Sequence, residues 1–301
     1  MDISVVVCTY NRANLLRNTL KSLEAQKNVN FDWELILVNN NSKDHTKEVV
    51  NEFVNKIPNL KYLFESKQGV SFAKNRGVRE TKGKVIALTD DDVLVNPFWL
   101  SKIYEFFRKN PNVACIGGKV LPLWEEDPPS WLTKSFYSYL ALLDLGDEPI
   151  RMNSPDLWGA NLSIRKTMFE KYGGFDEKIG RFGKKLYSGE ETLFLLRLLN
   201  NNEEVFYIPW IEVKHFVPKE RMKKNYFRRW KFYHGKTKAT LTEEIDKSSK
   251  KIMNVPLYSI RFLILQILRY LRHLIFLNPK TFLEELELIS CIGFICKKLE
   301  R

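Results

Sequence analysis

Cysteine is scarce in this sequence, and its placement excludes two classes of protein. The chain has four cysteines in 301 residues, at positions 8, 115, 291 and 296. Cys291 and Cys296 are five residues apart, which places them on different faces of a helix. The cysteines therefore have neither the spacing of a zinc site nor that of a disulfide framework, and we expect a reducing compartment. The sequence also contains no internal repeat and no low-complexity segment.

The sequence lacks an uninterrupted apolar run long enough to cross a membrane, which takes about 20 residues. The densest apolar run, residues 260–276, is interrupted by Arg261, Arg269, Arg272 and His273. Met1-Asp2 leads directly into a predicted strand, without a basic stretch or a cleavage site, so we expect no signal peptide. We therefore expect a cytoplasmic protein.

Acidic residues are fewer than basic ones, and the formal net charge is +12. Residues 214–238 contain ten Lys and Arg but a single acid, Glu220, with aromatic residues interleaved. Such a block suits nucleic acid, an anionic membrane or an anionic substrate, although it can also be a solvated face. No recognised nucleic-acid motif is present, so we expect no nucleic-acid partner.

Apolar residues make up 44% of the chain and alternate between strand and helix patterns. Strands are predicted at 3–9, 34–38 and 60–64, at the apolar run from Val85, and farther on at 113–120, 205–208 and 212–216. The helices between the early strands indicate an α/β fold with a Rossmann-like, mostly parallel sheet and helices on both faces. We expect this α/β domain in residues 1–240 and a C-terminal helical appendage in residues 241–301.

Polar residues follow three of the predicted strands at their carboxyl ends. These are Thr9, Asn39 and Asp90, and open α/β sheets bind ligands at this edge. Asp90, Asp91 and Asp92 cannot lie unpaired inside the sheet, because burying an isolated carboxylate is too costly. In an extended chain Asp90 and Asp92 point the same way, so together they could hold Mg²⁺ or Mn²⁺ with a diphosphate. The alternative is a solvated acidic turn without a metal.

Eight segments in order resemble one known family. They are Val6–Arg12, residues 38–44, 69–77 and 88–92, Gly159-Ala160-Asn161, Gly173–Asp176, Gly189-Glu190-Glu191, and His215. Their order and spacing, over about residues 3 to 240, resemble an inverting family 2 glycosyltransferase of the GT-A fold. Each motif is weak by itself.

The resemblance assigns a donor-nucleotide site. It implies that the nucleotide is held by Thr9, Tyr10, Arg12, Asn39, Lys74, Asp90 and Asp91. Asn39 stands where the family usually has aspartate, which leaves the identity of the base open, and Lys74 stands where arginine is more common. The donor is expected to be a nucleotide-diphosphate sugar, most readily a UDP-sugar.

The resemblance also assigns the metal and the catalytic base. Mn²⁺ or Mg²⁺ would be bound by Asp90, Asp92 and His215, although His215 could instead be a strand histidine bonded to backbone. Glu191 matches the catalytic base, where the family more often has aspartate. Ser188 and Glu191 also fit a helix capping box, which would explain Glu191 without catalysis.

The acceptor site is expected at Trp158, Asn161 and Glu190, with core packing as the alternative for Trp158. The family pattern implies transfer of the sugar, with inversion, to a hydroxyl group on a glycan or a lipid-linked saccharide. Three other functions remain open: a nucleic-acid-binding protein, a non-catalytic sugar-nucleotide-binding protein, and a nucleotidyltransferase built on a similar sheet.

The C-terminal run at residues 260–276 is predicted to be an amphipathic helix. Its apolar face comprises Leu263, Ile264, Ile267, Tyr270, Leu271, Leu274 and Ile275. Such a helix lies in a membrane interface or packs on a partner, so we expect a peripheral protein on an anionic, cytoplasmic membrane surface. The alternative is docking onto the catalytic domain. Residues 246–251 are predicted to be a linker, and the apolar residues 282–295 could pair with the helix.

Overall fold

The computed structural model describes residues 1–183, 185–242, 249–276, 278 and 280–300 of the chain. The chain divides into two compact units, Met1–Lys178 with Glu190–Lys219, and Ile179–Gly189 with Glu220–Arg301. The domain boundary expected after residue 240 stays a prediction. Residues 246–248 of the predicted linker lie outside the described residues.

The first unit is built on one mixed sheet. Its strands are β1 Ile3–Thr9, β2 Trp33–Asn39, β3 Leu60–Phe64, β4 Val85–Asp90, β5 Val93–Val95, β6 Val113–Trp124, β7 Ile150–Arg151, β8 Leu162–Arg165 and β9 Glu204–Val217. They are ordered β3-β2-β1-β4-β8-β6-β9-β5, and β7 pairs with β9. β3, β2, β1 and β4 are parallel, as are β6 and β9, whereas β8, β7 and β5 are antiparallel to their neighbours. The predicted α/β fold is confirmed.

The central strands are apolar on both faces because helices cover a parallel sheet on both sides. Every residue of β2 is buried, and β4 is buried up to Asp90. In the register of the sheet, Thr9 lies beside Asn39 and Cys8 beside Asp90. Three neighbouring strands therefore end at the same level, as predicted for the ligand edge.

The helices of the first unit are α1 Ala13–Glu24, α2 Thr46–Asn51, α3 Val70–Glu80, α4 Trp99–Lys109, α5 Lys166–Tyr172 and α6 Glu190–Asn200. Helix α2 stops at Asn51, and Val54 beyond it is 45% exposed. Asp44 joins two helix starts. It accepts hydrogen bonds from the backbone N–H of Ala13 at 3.0 Å and of Thr46 at 3.2 Å.

Strand β9 corrects the prediction of separate strands at 205–208 and 212–216. It is one strand, and its pairing with β6 shifts register between Gly118 and Lys119, opposite residues 209–211. The amide of Asn161 fills this irregularity by donating to the carbonyls of Ile211 at 2.8 Å and Lys119 at 3.0 Å. Since Asn161 is distant in sequence, the local pattern could not show that one strand continues through the bulge.

The second unit contains helices α7 Lys224–Leu241, α8 Leu257–Ile275 and α9 Thr281–Leu299, and a hairpin of β10 Lys251–Ile252 and β11 Val255–Pro256. Glycine allows α7 and α9 to approach closely, because a Cβ at Gly235 would lie 2.0 Å from the carbonyl oxygen of Ser290. The expected C-terminal helical region is confirmed. Within the described residues, no helix is both long and apolar enough to cross a membrane.

Part of the basic block at 214–238 holds this unit together. Arg228 Nε lies 2.6 Å from Glu285 Oε1, and Lys231, which is buried, forms an ion pair with Glu287. These charges join α7 to α9, so they belong to the unit's own packing as well as to its surface.

Candidate active site

The acidic strand end and His215 are brought together by an antiparallel pairing far along the chain. After β4, the chain turns through Asp91 and Asp92 into β5, which pairs with β9 so that Val93 lies beside His215. The backbone N–H of Phe216 donates to the carbonyl of Asp92 at 2.8 Å. As a result, His215 Nε2 lies 3.2 Å from Asp92 Oδ1.

These residues form a donor set that fits a divalent cation. One ligand atom each from Asp90, Asp92 and His215 lies within 4.8 Å of the others. In the described part of the chain, His215 Nδ1 is buried and has no hydrogen-bond partner, so the ring is not the backbone-bonded strand histidine considered from sequence. Two carboxylates with one imidazole suit Mn²⁺ well, and Mg²⁺, which prefers oxygen ligands, less well.

Arg12 balances the charge of the acids. Its Nη1 lies 2.9 Å from Asp91 Oδ1 and 2.9 Å from Asp92 Oδ2. Asp91 and then Asp92 raise the pKa of Arg12 above its ordinary value, although burial opposes the shift. Burial in turn raises the pKa of Asp91, and the Arg12 charge offsets this only in part. The structure thus places Arg12 and Asp91, both predicted to bind nucleotide, in a mutual ion pair beside the cation set.

The other predicted nucleotide residues lie at the same sheet edge. Thr9 and Asn39 are buried there, and Tyr10 is 38% exposed in the turn after β1. The Asn39 amide already donates to the Tyr62 hydroxyl at 2.8 Å and accepts from the N–H of Ser42 at 2.8 Å. Asn39 therefore also stabilises the ligand edge, because it links β3 to the turn after β2.

Asn40 is a residue of this edge that the sequence reasoning passed over. Its side chain accepts from the N–H of Gly69 at 2.8 Å and donates to the carbonyls of Glu65 and Lys67. It thereby fixes the loop that leads into α3, the helix that carries Lys74. The signal was present as four consecutive polar residues, 39–42, at the end of a buried strand.

A buried charged triad lies between α3 and α6. Lys74 Nζ is 3.0 Å from Glu190 Oε1 and also forms an ion pair with Glu191. The side chains of Lys74 and Glu190 are 6% and 7% exposed, and that of Glu191 is 16% exposed. Lys74 was expected at the nucleotide, and the structure places it against the two glutamates.

The two glutamates differ in proton affinity although both contact Lys74. Burial and then the Glu190 charge raise the pKa of Glu191 to about 7, against the opposing effect of Lys74. Burial also raises the pKa of Glu190, but Lys74 and several hydrogen bonds outweigh it, and the net pKa lies below its ordinary value. Two carboxyl groups whose pKa values are driven apart are typical of an acid–base site. Glu191 has the value suited to a general base near neutral pH.

The capping-box explanation of Glu191 does not match the helix. Helix α6 begins at Glu190, so Glu191 is its second residue, one position short of the third that a capping box requires. Its carboxylate is instead directed to Lys74.

Gly159 supports this placement and was not singled out from sequence. A Cβ at position 159 would lie 2.1 Å from Glu191 Oε1 and 3.1 Å from Lys74 Nζ. Its signal was a glycine within one of the motifs that carried the family resemblance. The glutamate can reach its position because residue 159 has no side chain.

The three predicted acceptor residues have different environments. Trp158 is half-buried next to Gly159, with its indole N–H donating to the Leu142 carbonyl at 3.1 Å. Glu190 is buried in the charged triad. Asn161 is 2% exposed, and its side-chain oxygen accepts a hydrogen bond from the Trp99 indole N–H at 2.9 Å. Its side-chain nitrogen donates to the two carbonyls at the β9 bulge. The Asn161 amide is thus occupied by structural contacts.

Residues 4–173 match the family described as Glycosyl transferase family 2. The chain belongs to this family. The family assignment and the GT-A resemblance drawn from sequence are both confirmed, and the protein is a glycosyltransferase by family.

The alignments with curated relatives differ in how much of each chain they include. It is 25% identical over 244 residues to the glucosyl-dolichyl phosphate glucuronosyltransferase of Haloferax volcanii, covering 80% of this chain and 77% of the relative. It is 33% identical over 143 residues to the chondroitin synthase of Escherichia coli. That match covers 47% of this chain but 19% of the synthase, so it represents a small part of that protein.

Solved structures of glycosyltransferases share the fold. The mannosyltransferase PcManGT of Pyrobaculum calidifontis, solved with GDP-Man and Mn²⁺, aligns with a TM-score of 0.61 at 16% identity, over 98% of this chain and 73% of its own. TarS 1-349 of S. aureus, solved with UDP-GlcNAc, aligns with a TM-score of 0.55 at 18% identity, over 81% of this chain and 67% of its own. At these identities the likeness establishes the fold of this glycosyltransferase.

Proposed function

We propose that this glycosyltransferase moves a sugar from a nucleotide-diphosphate donor, most readily a UDP-sugar, to a hydroxyl group of a glycan or lipid-linked saccharide, with inversion at the anomeric carbon. The observation that carries the proposal is the pair of sites in the first unit. Asp90, Asp92 and His215 form a cation set. Glu191, held by Lys74, is a carboxylate whose pKa is raised to about 7.

The donor would lie along the carboxyl ends of β1, β2 and β4. Asp90, Asp92 and His215 would hold Mn²⁺ or Mg²⁺, which supplies positive charge for the leaving diphosphate when bound. Arg12 orients Asp91 and Asp92 through its two contacts of 2.9 Å. Thr9, Tyr10 and Asn39 are proposed to contact the nucleotide.

Glu191 would act as the general base. The acceptor oxygen attacks the anomeric carbon on the face opposite the diphosphate, and its proton passes to a Glu191 carboxylate oxygen. The bond from the anomeric carbon to the phosphate oxygen breaks as the new glycosidic bond forms, so configuration inverts without a covalent enzyme intermediate. Lys74 and Gly159 position the carboxylate. Trp158 directly precedes Gly159 in the sequence, and we therefore propose that it contacts the acceptor.

The relatives support the classes of donor and acceptor. TarS was solved with UDP-GlcNAc and PcManGT with GDP-Man, so the donor of this chain is proposed to be a nucleotide sugar. The name of the Haloferax enzyme gives a glucosyl-dolichyl phosphate acceptor, which favours a lipid-linked saccharide among the acceptors considered. A peripheral position on the cytoplasmic face of a membrane is proposed as the place of action.

A donor screen tests the proposal. The purified chain is incubated with UDP-, GDP- and TDP-sugars with Mn²⁺, Mg²⁺ or EDTA, and release of the nucleoside diphosphate is measured. We expect cation-dependent release of UDP from a UDP-sugar, lost in Asp92→Asn. Tight UDP binding without release, with every acceptor class offered, would favour a non-catalytic binding protein, and pyrophosphate release from an NTP would favour a nucleotidyltransferase.

A further inference from the structure

Helix α8 of the second unit exposes one long apolar strip. The strip comprises Ile264, Ile267, Leu268, Leu271, Leu274 and Ile275, and each is at least 38% exposed. Leu268 is 58% exposed and Ile275 is 73% exposed. The spacing of three and four residues aligns all six along one side of the helix. Ordinary surface helices of soluble proteins bury such a strip.

The opposite side of α8 is the one that packs within the unit. Ser259 and Gln266 are buried, and the Gln266 amide donates to Glu284 Oε2 of α9 at 2.5 Å. The helix is therefore anchored by a side that carries Ser259, Gln266 and the half-buried Leu263 and Tyr270 of the predicted apolar face, while the apolar strip faces outward. This is the reverse of the arrangement expected if the apolar residues served the unit's own core.

Two of the three arginines of α8 border the exposed strip. Arg261 and Arg272 lie along one edge of it, at nearly the same angle around the helix, and Arg269 lies farther round. All three are exposed. Arginine can extend its guanidinium group from the edge of an apolar surface toward charged headgroups while its stem stays on the apolar side.

The charge of the whole protein is concentrated in this unit. Residues 179–189 and 220–301 contain 21 Lys and Arg against 8 Asp and Glu, a formal net charge of +13. The rest of the chain contains 27 basic and 28 acidic residues, a formal net charge of −1. Exposed apolar residues and excess positive charge thus occur together in one unit.

The hairpin that precedes α8 adds a second exposed apolar feature. Ile252 is 56% exposed and Met253 is 80% exposed at its tip, directly after Lys250 and Lys251. The backbone N–H of Leu257 donates to the Lys250 carbonyl at 2.8 Å, which ties the base of the hairpin to the start of α8.

We propose that the apolar strip of α8 lies in the interface of an anionic lipid bilayer, with Arg261 and Arg272 at the phosphate level. An amphipathic helix with an apolar side and basic residues binds this surface by burying apolar area and by attraction to anionic lipid. A second copy of the chain is a poorer occupant, because a symmetric contact would bring the arginines of two units of charge +13 together. This inference stands on the geometry of the second unit and does not require the proposed sugar transfer.

Vesicle sedimentation with the full chain tests the inference. The probes are vesicles of phosphatidylcholine alone and of phosphatidylcholine with about a third phosphatidylglycerol, at low and high salt. We expect binding to the anionic vesicles that weakens with salt. Leu268→Asp should abolish it, while the matched control Val54→Asp, which makes the same charge change at a 45% exposed apolar residue of the other unit, should bind like wild type.

The arginines are tested separately with the double variant Arg261→Gln and Arg272→Gln. At about fivefold in affinity for each basic residue near the surface, we expect a loss of roughly thirtyfold on anionic vesicles and little change on neutral ones. Circular dichroism and the melting temperature verify that the variants stay folded. The inference is overturned if Leu268→Asp sediments like wild type. It is also overturned if the wild-type chain does not bind anionic vesicles. A wild-type dimer that the Leu268→Asp substitution dissociates would overturn it as well.

Discussion

The role of Glu191 gives the sharpest prediction. Its carboxylate is buried beside Lys74 and Glu190, and burial with the Glu190 charge raises its pKa to about 7. A general base must be ionised to accept the acceptor proton. Since kcat/KM for the acceptor reports the enzyme before the acceptor binds, we expect it to rise with pH through about 7 and then level off. At pH 6 about one tenth of this carboxyl is ionised, so kcat/KM should be roughly tenfold below the plateau.

Substitution at this position should separate catalysis from stability. Glu191→Gln keeps the shape of the side chain but cannot accept a proton. We expect a loss of about 10²–10⁴-fold in transfer rate, with donor binding unchanged. Glu191→Asp withdraws the carboxylate by one methylene, about 1.5 Å. It should retain part of the activity and the rising limb of the pH profile.

The assay is initial-rate transfer with a saturating donor and varied acceptor, from pH 5 to 9, alongside donor affinity by calorimetry. Glu190→Gln is the matched control, because Glu190 contacts the same lysine at 3.0 Å and its pKa is lowered. Its transfer rate should fall less. A Glu191→Gln enzyme that transfers at near wild-type rate would refute the assignment of Glu191 as base. A Glu191→Gln enzyme whose kcat/KM still rises with pH near pH 7 would refute it as well.

The remaining predictions concern the residues around Glu191 and the cation set. Lys74→Met removes the charge that lowers the pKa of Glu191, so the rise of kcat/KM with pH should move to higher pH. A rise at the same pH as in wild type would show that Lys74 does not affect the pKa of Glu191. Gly159→Ala places a Cβ 2.1 Å from Glu191 Oε1, so transfer should fall while the melting temperature changes little; full activity would show that the carboxylate works from elsewhere. Asp92→Asn should weaken Mn²⁺-linked UDP binding by calorimetry without unfolding the chain, and unchanged metal-linked affinity would remove Asp92 from the cation set. His215→Ala should weaken the same binding, since its Nδ1 is buried and unbonded in the described residues, whereas loss of fold alone would make it structural.

The strands and the ligand edge could be predicted from sequence because the signals are local. Continuous apolar runs mark strands buried on both faces, and an abrupt polar end marks where each run leaves the sheet. Thr9, Asn39 and Asp90 were expected at one edge on this basis, and the register Thr9 beside Asn39 and Cys8 beside Asp90 confirms it. The amphipathic pattern of 260–276 likewise predicted a helix, which is α8.

Other features depended on partners distant in the chain. Strand β9 reads as two strands because Pro209 and Trp210 interrupt its pattern, and the Asn161 amide that bridges the bulge lies in another segment. The capping-box pattern at Ser188 described a local possibility, but Lys74 of α3 draws the Glu191 carboxylate to itself. A local sequence window contains neither contact.

By itself the sequence determined the α/β fold, the family and the residue types at the ligand edge, because hydrophobic periodicity and motif order act over short stretches. Only the tertiary structure decided between the two predicted environments of His215, and only it showed that Arg12 pairs with Asp91 and that Lys74 lies between Glu190 and Glu191. It also decided that the apolar strip of α8 faces outward while the side that carries Gln266 packs on α9. Burial and charge pairing between distant segments set proton affinities and exposed surfaces, and both arise only once the chain has folded.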